Sequence, residues 1–378
     1  MAMRACYNIL KTGLSLESDC LEGIKWFDKD YKWFRTSLPS SFSEDVDLRI
    51  RVNLKEAAPF IRINGKQLSL THHPNPEKMA YQMMQWELFA RMQDFFLLHA
   101  GVVVSNKDAW IIAGLPGMGK TTLVLELLKA GFCFFSDEVC PFHRKTGRIY
   151  CFPRTVWVVP NQPVGESAIP NHAWPIRGKK VPIETETMYP PRSLNTAVPR
   201  GLIYLDDATE NIPSAVNINV CVQPTSIDAF QAALENLRHH SDSREFSFQR
   251  SREADVYWQI RYLPGTGWAG RIENLLHGFG DRVWNAYREV RKTPDFLRTP
   301  KLTRMNPDTA AMNVIQDMKF GSPVAPMQHH VTESPGKLFM RLCMAMDGLS
   351  CYRLTVGRLS ETRQLLRSII PFPGNLKT

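Results

Sequence analysis

The feature that most constrains this chain is the run Gly114-Leu115-Pro116-Gly117-Met118-Gly119-Lys120-Thr121, which fills every position of the pattern G-x-x-x-x-G-K-[ST]. Such a loop works only between a buried strand and a helix, so it implies a layered α/β sheet. Both flanks comply. Ala109 to Gly114 is a short apolar strand, and Thr121 to Ala130 has helical spacing with a glycine stop at Gly131. Gly117 and Gly119 let the backbone turn with its N–H groups inward, where side chains would block a phosphate. The helix starting near Lys120 offers unsatisfied N–H groups and a partial positive charge to an anion. Lys120 is expected to reach the β- and γ-phosphates of a nucleoside triphosphate, and the Thr121 hydroxyl to ligate Mg2+. Gly114, Met118 and Thr122 complete the expected nucleotide-binding set.

The neighbouring strands bring candidate chemistry. Phe95 to Ser105 reads as an apolar strand pair carrying His99, 21 residues before Lys120. Phe132 to Glu138 is another buried strand, ending in Asp137 and Glu138, 17 and 18 residues after Lys120. Ligands of open α/β sheets bind beyond the C-terminal ends of strands, so these carboxylates are expected to face the γ-phosphate and to take part in holding the metal. The buried strand Gly201 to Asp207 ends in a rival acid pair, Asp206-Asp207. Asp137 is preferred because it follows the loop more closely.

The rest of the chain frames this core. Residues 1–88 read as a β-rich region, with alternation at Val46, Leu48, Ile50 and Val52 and a hairpin turn at Asn64-Gly65. A helix is expected from Glu77, its Met79, Met83 and Met84 packing in a core. Residues 89–284 are assigned to the core and 285–335 to an insertion or mobile segment, with a long irregular loop over the Pro-rich stretch 160–200. Residues 336–378 supply a C-terminal helix–strand–helix, with Ser360 as the N-cap of the last helix.

Hydrophobic residues make up 44% and charged residues 22%, which fits a folded soluble protein. No run approaches the roughly 18 apolar residues of a membrane helix, and the N-terminus lacks a signal-like apolar stretch. A cytoplasmic location without membrane attachment is expected, as is a homo-oligomer. The eight cysteines form no C-x-x-C pair and read as buried small apolar residues in a reducing compartment. The net charge of +9 is scattered, so a nucleic-acid partner is not expected; a cleft for ATP and an acidic partner accounts for it equally well. His239-His240 and His329-His330 read as solvent-facing, since adjacent histidines rarely aim at one ion.

The histidine strand LLHAGVVV, the loop GLPGMGKTT and the paired-acid strand FCFFSDEVCPF together resemble the HPr serine kinase family and its relatives. These are P-loop kinases with a core akin to phosphoenolpyruvate carboxykinase. FPRTVWV (Phe152 to Val158) is similar to their Pro-Arg segment, and Val331 to Leu366 to their C-terminal helix–strand–helix. The resemblance implies ATP-dependent transfer of the γ-phosphate to a hydroxyl, serine foremost, of a peptide or small protein. It implies Asp137 as general base, Glu138 on Mg2+ directly or through water, His99 lining the phosphate pocket, and Arg154 stabilising the phosphates. Two positions depart from the family. Glu138 stands where the family has a second Asp, and its late glycine-rich signature has only a loose echo in Gly265 to Arg271, so HPr as the acceptor does not follow. A small-molecule hydroxyl kinase, an NTP-binding regulator and a nucleic-acid-associated ATPase stay open as alternatives. Only a kinase needs a base at position 137.

Overall fold

Period-two alternation builds the first sheet. In the computed structural model, which describes residues 3–37, 46–71, 75–115, 117–158, 181–183, 194–206, 216–239, 245–250, 257–263, 266–289, 296–320 and 335–373, β1 (Met3–Ile9) and β2 (Thr12–Ser18) form a hairpin. Its turn residues Leu10 and Lys11 both have positive φ, the geometry that two-residue hairpins demand. α1 (Glu22–Tyr31) and β3 (Arg35–Thr36) follow. β4 (Leu48–Asn53) buries Leu48, Ile50 and Val52 and exposes Arg49 and Arg51. β5 (Phe60–Ile63) and β6 (Lys66–Ser69) close a hairpin on Asn64 and Gly65, whose φ angles are 45° and 88°. The sheet order is β3-β1-β2-β4-β5-β6. α2 (Pro76–Ala90) is capped by Asn75, whose side chain accepts from the Lys78 N–H at 2.9 Å, and its Met79, Met83 and Met84 are buried as expected.

The chain then enters a larger sheet through β7 (Phe95–Leu98), β8 (Ala100–Ser105) and β9 (Asp108–Gly114). Next come α3 (Lys120–Lys129), β10 (Cys133–Ser136), β11 (Cys140–His143), β12 (Ile149–Tyr150), β13 (Val156–Val158), β14 (Val181–Ile183) and the long β15 (Thr196–Asp206). A separate antiparallel sheet, ordered β17-β18-β16-β19, follows from β16 (Val216–Val222), α4 (Ile227–His239), β17 (Phe246–Arg250), β18 (Tyr257–Tyr262), α5 (Trp268–Phe279) and β19 (Val283–Glu289). Phe230, Trp258, Trp268 and Ile272 fill its core. The chain ends with β20 (Lys301–Met305), α6 (Pro307–Phe320), α7 (Pro335–Met346), β21 (Ser350–Thr355) and α8 (Leu359–Arg367).

Hydrogen bonding in the larger sheet runs β10-β8-β9-β15. The start of β15 pairs with β12, which leads on to β11 and β7, while its end pairs with β21 and so with β20. Strands β8 and β9 and residues 201–205 of β15 are buried on both faces, as their apolar runs require. Ala109, Ile111 and Ala113 pack into a cluster with Ala310 and Val314 of α6 and Leu338 and Leu342 of α7. Trp110 and Ile112 pack into another with Leu123, Val124 and Leu127 of α3 and Leu366 of α8. The result is an α/β/α sandwich.

Contacts divide the chain into one unit of Met1–Gln93, Thr209–Val290 and Lys319–Thr332, and another of Asp94–Ala208, Arg291–Met318 and Glu333–Thr378. This cut differs from the four-segment expectation: the four-stranded sheet groups with the N-terminal residues, and β20 and α6 order much of 285–335. Ser360 is not an N-cap. α8 begins at Leu359, because the Arg358 N–H is drawn to the Arg298 carbonyl and Arg358 itself stays extended at the cap position. Among the described residues no helix is long and apolar enough to cross a membrane.

Candidate active site

Strand direction gathers the candidate residues at one edge of the larger sheet. β15 is parallel to β9 and to β21, and β8 is antiparallel to both β9 and β10. Therefore β9, β10 and β15 end where β8 begins. That edge carries His99 just before β8, the loop after β9, Asp137 and Glu138 after β10, and Asp206 at the end of β15.

The loop's glycines occupy backbone conformations that side chains disfavour. Gly114, Gly117 and Gly119 have φ of 141°, 86° and 87°. Gly119 is the N-cap of α3, and the first helical bond after it runs from Leu123 N–H to Gly119 O at 2.9 Å. The amides of Lys120, Thr121 and Thr122 precede that bond, in the turn for which a helix supplies no internal acceptor. Met118 is buried beneath, its N–H directed to Leu115 O at 3.3 Å. The Lys120 side chain is buried and its ammonium donates to Gly114 O at 2.7 Å and Leu115 O at 3.2 Å, so it lies folded across the start of the loop. Pro116 lies outside the described residues.

One hydrogen bond joins this loop to the acid turn: Thr121 Oγ1 donates to Asp137 Oδ2 at 2.9 Å. The approach depends on Gly101 of β8. A Cβ there would lie 2.5 Å from Val124 Cγ2, so only glycine lets α3 settle this close to the strand leading to the acids. Glu138 is turned another way. Its Oε2 accepts from Arg154 Nη1 at 3.2 Å, with the Arg154 side chain only 6% exposed, and its backbone carbonyl faces His99 Nδ1 at 3.2 Å. His99 and Arg154 thus clamp the acid turn from two sides.

The rival acid is also at this edge. Leu205 pairs with Gly114, so Asp206 stands one residue beyond the loop's start, and its carboxylate faces Arg353 at 3.6 Å. Asp207, His240, His329, His330 and Gly265 lie outside the described residues; His239 ends α4, and Gly267 is the N-cap of α5 beside the four-stranded sheet. Sequence reasoning missed Arg353 and also Phe296, which packs on the loop at Gly119. No local pattern marks either residue, since each reaches the site from a segment far along the chain.

The chain matches no protein-family model and no curated protein. Among solved structures it is weakly similar to the Hpr(Ser) kinase/phosphatase from Coxiella burnetii, at 14% sequence identity over 48% of this chain and 95% of that one, with a TM-score of 0.21.

Proposed function

We propose that this protein is an ATP- and Mg2+-dependent kinase that transfers the γ-phosphate to a hydroxyl of a peptide or small protein, serine foremost. The observation that carries the reading is the 2.9 Å hydrogen bond from Thr121 to Asp137. It joins a loop shaped for phosphates to a strand-terminal carboxylate, the pairing that phosphoryl transfer needs.

Thr121 Oγ1 and the Asp137 carboxylate are adjacent hard oxygen donors, a set that suits Mg2+, which takes one or two carboxylates and fills its shell with phosphate oxygens and water. When bound, Mg2+ would offset charge on the β- and γ-phosphates. Glu138, held by Arg154, would meet it through water. The amides of Gly119 to Thr122 and the Lys120 ammonium would bind the phosphates. Asp137 would accept the proton of the acceptor hydroxyl as its oxygen bonds to the γ-phosphorus, while the bond from phosphorus to the β–γ bridging oxygen breaks and ADP leaves with that electron pair. Positioning and charge stabilisation supply most of the catalysis in such transfers.

The test is transfer from γ-labelled ATP with Mg2+ to serine-bearing peptides and small proteins, with water alone as control. Asp137→Asn is expected to lower transfer by about 100- to 10,000-fold, the usual worth of a general base, whereas Asp206→Asn retains it. Hydrolysis stimulated only by nucleic acid, with no acceptor labelled, would overturn the reading.

A further inference from the structure

On the flank of the loop away from Asp137, a segment containing Phe296 runs into β20. Its path is pinned twice. The Arg358 N–H donates to Arg298 O at 2.9 Å. Gly357 lets the segment pass, because a Cβ there would lie 2.4 Å from Arg298 O and 2.7 Å from Pro300 N. This path lays the Phe296 ring on the phosphate loop, its Cε1 3.3 Å and its Cζ 3.7 Å from where a Gly119 Cβ would stand. Phe296 is nevertheless 39% exposed, and Leu297 beside it 79%. A single exposed apolar residue means little. Two of them, on a segment fixed against a polar loop, form an apolar shelf beside it.

Sheet order gives the site a direction. Asp137 and Glu138 follow β10, on the β8 side of β9, whereas the Phe296 segment leads into β20, on the β15 side. If the γ-phosphate points toward Asp137, the nucleoside leaves toward the opposite flank, past Gly119. We propose that Phe296 is the stacking shelf for the nucleobase of the bound nucleotide, with Leu297 extending its apolar surface. This rests on the triphosphate reading of the loop. Every base offers a π-face, so a stacking shelf binds adenine and guanine nucleotides with similar gain.

Calorimetric titration of the full chain with Mg-ATP, Mg-GTP and Mg-tripolyphosphate tests this, because tripolyphosphate occupies the loop without a base. Stacking on one aromatic ring corresponds to about 5- to 150-fold in affinity. Phe296→Ala is therefore expected to weaken ATP and GTP by about that factor and to leave tripolyphosphate unchanged. Phe296→Trp should keep nucleotide affinity, with its added fluorescence quenched by ATP but not by tripolyphosphate. Equal ATP affinity in Phe296→Ala and the parent chain, or equal weakening of ATP and tripolyphosphate, would overturn the shelf while leaving the loop reading intact. A parent chain that binds neither ligand would overturn both.

Discussion

Replacing Gly114 with alanine tests whether the sheet and the phosphate loop are joined as described. Gly114 closes β9 opposite Leu205, and its φ of 141° is one that residues with a Cβ rarely adopt. An alanine Cβ would stand 2.7 Å from Leu205 O, 3.0 Å from Leu205 Cβ and 3.3 Å from Leu205 N. Ordinary contact begins near 3.4 Å, so β9 and β15 would have to part by several tenths of an ångström at a point where both are buried. Backbone strain of about 1–3 kcal/mol adds to an overpacking cost of about 1–3 kcal/mol, giving about 2–6 kcal/mol in total. That is a large share of the roughly 5–15 kcal/mol by which a domain is stable. Gly147→Ala is the control: its φ of 62° carries the conformational strain, but nothing lies within 4 Å of the added Cβ, so about 1–2 kcal/mol is expected. Urea unfolding followed by tryptophan fluorescence suits the comparison, because Trp110 is buried on β9 itself. At mid-range, about 4 against about 1.5 kcal/mol, Gly114→Ala should lower the midpoint more than twice as far as Gly147→Ala. It should also weaken tripolyphosphate binding, since the displaced Gly114 carbonyl is the nearer acceptor of the Lys120 ammonium. Equal midpoints for the two variants would refute the close pairing of Gly114 with Leu205.

In the N-terminal sheet, partial burial pushes the Asp19 carboxyl up, but the N–H groups of Leu54 and Lys55, donating at 3.0 and 2.9 Å, outweigh it and hold it below its ordinary value. A depressed carboxylate stabilises above its unfolded-state pKa and loses that effect as pH falls through the folded one. The stability gap between the parent chain and Asp19→Asn, read from urea midpoints, should therefore hold steady at neutral pH and shrink below about pH 4; a gap that widens on acidification contradicts the sign. Burial pushes the Cys351 thiol up to about 11 and the Cys221 thiol up to about 12, and raises Cys140 and Cys151 further, whereas Cys133 and Cys343 are only partly buried. Iodoacetamide at pH 8 should modify Cys133 and Cys343 first and reach the other four only on unfolding, as peptide mapping would read; rapid native labelling of Cys221 or Cys351 would contradict their placement.

What could be read from the sequence was written in consecutive residues. The loop declares itself because strand, glycines, Lys-Thr and helix adjoin, and the hairpin at Asn64-Gly65 because its turn type needs positive φ at both positions. The burial of Met79, Met83 and Met84 follows from helical spacing. Illegible features depend on partners distant in sequence. Ser360 looks like a cap until Arg298 claims the Arg358 N–H and the helix starts two residues early. Nothing near Glu138 in sequence shows that the buried Arg154 takes its carboxylate. The four-stranded sheet follows β15 in the chain, so sequence order alone assigned it to the core, whereas contacts group it with the N-terminal residues.

These cases bear on how the two acids divide their work. Adjacent carboxylates at a strand end are chemically almost interchangeable, and spacing from Lys120 separates them by one residue. What distinguishes them is the setting each side chain meets. Asp137 accepts from the Thr121 hydroxyl at the head of α3, while Glu138 faces a guanidinium buried beneath the turn. The ion pair with Arg154 holds the orientation of the Glu138 carboxylate. In the kinase we propose, Asp137, which meets the loop through Thr121, is therefore the acid assigned to the reacting position. The two acids therefore differ in setting, Asp137 turned to the loop and Glu138 to Arg154, which is the asymmetry the kinase proposal uses.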